Sequence, residues 1–183
     1  MIKFDYHSHT SHSFDCSADI DDMIRRAIEL GLTEYAITNH VDFRFPNGGV
    51  MQPYDLENGI DSVLDAQKRY AGQIKILLGI EFGLRPDCCE QAAKIAAAYD
   101  FDIILGSMHE DYLTGVDFYF PEHYRGRSKQ QAYNMYFTSC LQTVRACDSF
   151  DVLGHLDYCE RYAQGYDDKT LDYKDHHEII DEI

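Results

Sequence analysis

His7, His9, His40, Glu81, His109 and His155 each close a short apolar run of the chain. Imidazoles and carboxylates in such a set suit zinc, manganese or iron, and a glutamate among histidines can bridge two ions. A divalent ion held there lowers the pKa of a bound water toward neutrality and polarises a phosphoryl oxygen, so hydrolysis needs no serine or cysteine nucleophile. The sequence has no Gly-x-Ser-x-Gly elbow, no glycine-rich phosphate loop and no His-Glu-x-x-His motif. Taken singly, each histidine reads more readily as a hydrogen-bonded structural residue than as a ligand. The weight lies in the repetition: five runs in succession deliver six donors.

The runs predict strands over residues 2–6, 35–40, 74–81, 101–109 and 150–155. Between them, apolar residues at helical spacing predict helices over 19–30, 55–70, 86–99 and 128–147, with Gly31 as a stop, Pro86 as an opening residue and Ser128 as a cap. A turn-rich loop follows His40, a long loop runs to Arg127, and residues 173–183 begin another helix. Buried strands alternating with amphipathic helices mean parallel β/α units, whose active sites lie at the C-terminal ends of the strands. Side chains two apart on a strand share a face, so His7 and His9 point the same way. His12, His123, His176 and His177 lack the strand-end placement and are expected at the surface or in loops.

At 183 residues with 45% hydrophobic content, the chain suits one domain, residues 1–183. No stretch of eighteen apolar residues and no cleavable leader are evident, so neither membrane insertion nor secretion is expected. A formal net charge of -16 disfavours nucleic acid as a partner. None of the six cysteines forms a C-x-x-C pair, and adjacent Cys88 and Cys89 are poorly placed to bridge each other; disulfides are not expected, in keeping with a cytoplasmic location.

Asp5-Tyr6-His7-Ser8-His9-Thr10, Thr38-Asn39-His40, Gly79-Ile80-Glu81, Gly106-Ser107-Met108-His109 and Gly154-His155-Leu156-Asp157-Tyr158 resemble, in order, the motif set of the PHP (polymerase and histidinol phosphatase) family. The stretches 40–46 and 155–162 resemble its histidinol-phosphate phosphatase branch. The resemblance implies a distorted (β/α)7 TIM-like barrel, here ending after about five β/α units, that binds two or three divalent ions (zinc, manganese or iron) and hydrolyses a phosphate monoester without a covalent intermediate. It assigns His7 and His9 to a first ion, Glu81 to a bridge, His109 and His155 to a second ion, and His40 with Asp15 to a third, with His12 competing for Asp15's place.

By the same resemblance Arg161 meets the substrate phosphate, the plain alternative being an ion pair with Glu160; Arg44 and Arg127 are weaker phosphate candidates. Glu81, His109 and Arg161 carry the catalytic expectation. Asp157 either orients His155 or makes a turn. The family pattern continues to an Asp-x-His motif after a strand, for which Asp175-His176-His177, in a helix-like segment, is no substitute. An open barrel edge favours self-association. The expected reaction is L-histidinol phosphate to L-histidinol and phosphate; the alternatives are a phosphoesterase acting on nucleotides or DNA ends and a noncatalytic metal-binding relative.

Overall fold

The computed structural model describes residues 2–43 and 55–183. The chain runs through β1 (Phe4–Asp5), α1 (Ile20–Glu29), β2 (Glu34–Asp42), α2 (Leu56–Arg69), β3 (Lys75–Gly83), α3 (Cys89–Ala98), β4 (Ile103–Ser107), α4 (Pro121–Tyr124), α5 (Lys129–Ala146), β5 (Val152–Leu153), α6 (Tyr158–Tyr162) and α7 (Tyr173–Ile180). The strands form one parallel sheet in the order β1-β2-β3-β4-β5, a half-barrel in which sequence neighbours are also spatial neighbours.

Local chemistry explains the element boundaries. The Asp19 carboxylate accepts the backbone N–H groups of Asp21 and Asp22, which α1 cannot satisfy internally. Ser128 and Gln131 form a reciprocal capping box that starts α5. Along β3, Ile76, Leu78, Ile80 and Phe82 alternate with Gly79, Glu81 and Gly83. The first set packs into buried clusters with α1 and α2 (Ile24, Ala27, Val63, Ala66) or with Cys88 and Ala92 near α3. Each fully buried side chain of this kind contributes about 1.5–3 kcal/mol. The second set faces the barrel interior, so one strand is both core and scaffold for the site. A third cluster joins Tyr133, Tyr136 and Phe137 of α5 to Met108, Phe118 and Cys159.

Several expectations are corrected. Pro86 does not open a helix: residues 86–88 form a turn closed by the Cys88 N–H on the Arg85 carbonyl, and α3 starts at Cys89. Strand β1 is two residues long, and α4 and α6 arise in stretches without helical periodicity. His123 and His176 are buried rather than at the surface. His123 lies edge-on to Phe118 with its Nε2 on the Ala132 carbonyl, while His176 packs on Phe137 with its Nδ1 2.8 Å from Asn134 Oδ1. A disulfide joins Cys89 to Cys147 across a Cα–Cα distance of 5.1 Å, against the expectation of none. The partners are 58 residues apart, and packing at the start of α3 and the end of α5 brings them together, which spacing does not reveal. Cys16, Cys88, Cys140 and Cys159 are free.

Candidate metal centre

The parallel register sets the site. His40 on β2 pairs with Glu81 on β3, and Asp42 with Gly83, so His40, Asp42 and Glu81 emerge side by side at the C-terminal end of the sheet. His7, His109 and His155 follow β1, β4 and β5 by two residues each. The Glu81 carboxylate is fully buried at the centre. Its Oε2 lies 3.2 Å from His7 Nε2, 2.9 Å from His9 Nε2 and 3.5 Å from His40 Nε2; its Oε1 lies 3.0 Å from His155 Nε2 and 3.6 Å from His109 Nε2. All five imidazoles therefore present the same nitrogen to one carboxylate.

Two rings are steadied from behind. His9 Nδ1 lies 3.0 Å from Asp15 Oδ2, and His109 Nδ1 lies 3.2 Å from Asp42 Oδ1. The backbone at His155 has a φ of 21°, unusual for a residue with a side chain; its carbonyl accepts the Tyr136 hydroxyl at 2.9 Å and the Tyr158 N–H.

The charges are coupled. Burial alone would raise the Glu81 carboxyl, but the close imidazoles of His109, His155, His7 and His9 hold it well below the ordinary range. Burial alone would lower His9 and His109. The carboxylates beside them reverse this and lift His9 to about 9, through Asp15 and Glu81, and His109 to about 10, through Asp42 and Glu81. For His40 burial wins, and its pKa falls.

His9 Nε2, His40 Nδ1, Glu81 Oε2 and His155 Nδ1 are buried yet have no aligned hydrogen-bond partner. Such atoms are costly unless something else satisfies them. His9 Nε2 and Glu81 Oε2 sit 2.9 Å apart aimed past each other, as donors to a shared cation are. Two groups, His7–Glu81–His155 and His40–Asp42–His109, have donor atoms within 4.8 Å of one another. The donor set fits divalent metal ions.

The cluster forms the floor of a cleft of about 790 Å³, whose wall includes Phe14, Asp117, Tyr119, Tyr158, Arg161 and Tyr162. Asp15 lines it and His12 does not; His12 turns toward Asp55, 3.8 Å away. Arg161 reaches the cleft with its guanidinium 5.3 Å from the Tyr162 ring and forms no ion pair among the described residues. The Glu160 carboxylate instead accepts the Leu171 N–H. Arg127 points elsewhere, to the carbonyls of Glu122 and His123. Asp157 precedes α6 and its carbonyl takes the Glu160 N–H, the turn alternative. Asp175, His176 and His177 belong to α7, away from the cluster. Arg44 lies outside the described residues.

Sequence reasoning missed Asp42, although the rule that paired His7 with His9 applies to His40 and Asp42 on β2. It also missed Asp117 and Tyr119. A single antiparallel bridge, Glu110 to Asp117, folds their loop back over the cleft, and no periodicity announces such a bridge.

The PHP domain family model matches residues 5–183, nearly the whole chain. The chain belongs to the PHP domain family. A probable histidinol-phosphatase of Clostridium acetobutylicum is 33% identical over 182 residues, covering all of this chain and 68% of that protein. The histidinol-phosphatase of Lactococcus lactis subsp. lactis is 30% identical over 187 residues, covering all of this chain and 66% of its own. The crystal structure of the Lactococcus lactis histidinol phosphate phosphatase, complexed with zinc, L-histidinol and phosphate, superposes with a TM-score of 0.91 over 98% of this chain and 67% of that one, at 30% identity. A structure from Listeria monocytogenes, 22% identical with a TM-score of 0.78, shows the shared fold. The chain thus spans about two thirds of these relatives' length. Its architecture is that of the TIM-like PHP fold, and its site is of the phosphoric monoester hydrolase type. Among the described residues no helix is long and apolar enough to cross a membrane.

Proposed function

We propose that this PHP protein hydrolyses L-histidinol phosphate to L-histidinol and phosphate. The observation that carries the reading is the convergence of five imidazole nitrogens on buried Glu81, on the floor of a cleft that Arg161 also lines. The fold similarity to a phosphatase holding zinc, L-histidinol and phosphate supports it. In this assignment His7, His9 and Glu81 would hold a first ion, Glu81, His109 and His155 a second, and His40 a third, with Asp15, which here contacts His9, as its further expected ligand. Bound divalent ions supply Lewis acidity and an activated water.

The chain's own residues do the rest. Arg161 grips phosphate oxygens with two parallel N–H donors and offsets charge that builds on them in the transition state. Tyr119, Tyr158 and Tyr162 line the same cleft and place aromatic surface beside that guanidinium. The substrate is thereby a small phosphate monoester rather than a polymer, since the net charge of -16 offers no basic track for a nucleic-acid backbone.

The test is phosphate release from L-histidinol phosphate by the metal-reconstituted chain, beside nucleoside 5′-monophosphates, with His9→Ala as control and metal analysis of both. Turnover selective for L-histidinol phosphate and lost in the control supports the assignment. Bound metal without turnover of any ester points to a noncatalytic role. Neither metal nor turnover sinks the site.

A further inference from the structure

We propose that Asp42 is a positioning residue: it holds His109 in the ring orientation and tautomer that aim Nε2 at the metal, and Gly83 leaves its carboxylate room to do so. The inference rests on the metal reading of the site.

The geometry is specific. Asp42 Oδ1 lies 3.2 Å from His109 Nδ1 and 3.6 Å from His40 Nδ1. The opposite nitrogens face the centre, His109 Nε2 at 3.3 Å from His155 Nε2 and His40 Nε2 at 3.5 Å from Glu81 Oε2. The two rings stack with centroids 4.5 Å apart, so a shift of one moves the other. An imidazole bonded through Nδ1–H to a carboxylate keeps its lone pair on Nε2 and becomes a better donor to a cation.

Gly83 is the register partner of Asp42 on the neighbouring strand. A Cβ at position 83 would overlap Asp42 Oδ1 and come within 3.1 Å of His109 Nδ1. Any residue but glycine there pushes the carboxylate off the histidine. Two positions that ligate nothing in the assignment above are thus tied to one ligand.

The experiment measures zinc affinity by competition with a chromophoric chelator for the wild type, Asp42→Ala, Asp42→Asn and Gly83→Ala, with circular dichroism as a fold control. Asp42→Ala and Gly83→Ala are expected to lose about 10–100-fold in affinity at the weakened site. Asp42→Asn, which keeps an acceptor but no charge, falls between. At saturating cobalt the visible absorption bands of the variants keep their wild-type positions, because no ligand is lost. Unchanged affinity in folded Asp42→Ala overturns the proposal. So does a cobalt spectrum that shows one ligand fewer, which would make Asp42 a ligand itself. If Asp42→Ala fails to fold, Asp42→Asn and Gly83→Ala decide: both must weaken binding. Wild-type chain that binds no metal sinks the metal reading as well, a result distinct from wild type and variants binding alike.

Discussion

Replacing Glu81 with glutamine keeps the shape of the central residue and removes its charge, and metal-free protein reports the consequence as stability. In the wild type at pH 6, Glu81 is ionised and His9 and His109 are protonated. A tenfold change in proton affinity is about 1.4 kcal/mol, so the rise of His9 from 6.5 to about 9 represents about 3 kcal/mol, and that of His109 to about 10 represents about 5. Asp15 shares the first with Glu81, and Asp42 shares the second. Roughly half of the total, about 4 kcal/mol, therefore depends on Glu81, within the ~3–5 kcal/mol cost of breaking a buried pair.

The pH dependence follows from the direction of these shifts. A histidine with a raised folded pKa contributes its stability in full below its unfolded value of 6.5 and loses it as pH rises through the folded value. The Glu81→Gln deficit is therefore about 4 kcal/mol at pH 6, or about 8–16 °C in melting temperature for a chain of this size, and it vanishes near pH 10. Above that, wild type keeps a buried carboxylate without charged partners, and the variant becomes the more stable protein. Urea unfolding with chelator present, at pH 6 and pH 10, reads both ends. A deficit of the same size at both pH values, or none at pH 6, would refute the reasoning.

Arg161→Ala is expected to lower kcat/KM for L-histidinol phosphate about 10–100-fold, with Arg161→Lys recovering only part, because lysine offers a point charge where a two-pronged donor is needed; steady-state kinetics on both variants checks it. Tyr136→Phe removes one of two hydrogen bonds on the His155 carbonyl and should cost about 1 kcal/mol by thermal unfolding, with weaker metal retention as His155 leaves its positive φ. Closing a 58-residue separation by the Cys89–Cys147 bond predicts a loss of about 4 kcal/mol for Cys89→Ser under non-reducing conditions; equal urea midpoints for the two proteins would count against a bridge.

The donors of the site were readable from the chain because strand ends are local features. An apolar run stops, and the residue that follows a parallel strand lands on the functional face whatever the distant packing. That is why His7, His9, His40, Glu81, His109 and His155 could be placed together from the sequence, and why the Ser128 cap of α5 lay where helix-start chemistry puts it. Other features depend on contacts between residues far apart. Whether Asp15 or His12 entered the cleft was set by a loop's path, and Glu160, the neighbour expected to pair with Arg161, is turned to the Leu171 N–H instead. His123 and His176 became core residues because α5 supplies Ala132, Asn134 and Phe137 against them. The Cys89–Cys147 pair and the Asp42–Gly83 register likewise join residues dozens of positions apart. Spacing along a chain reports which side of an element a residue faces; only the packed structure determines what it meets there.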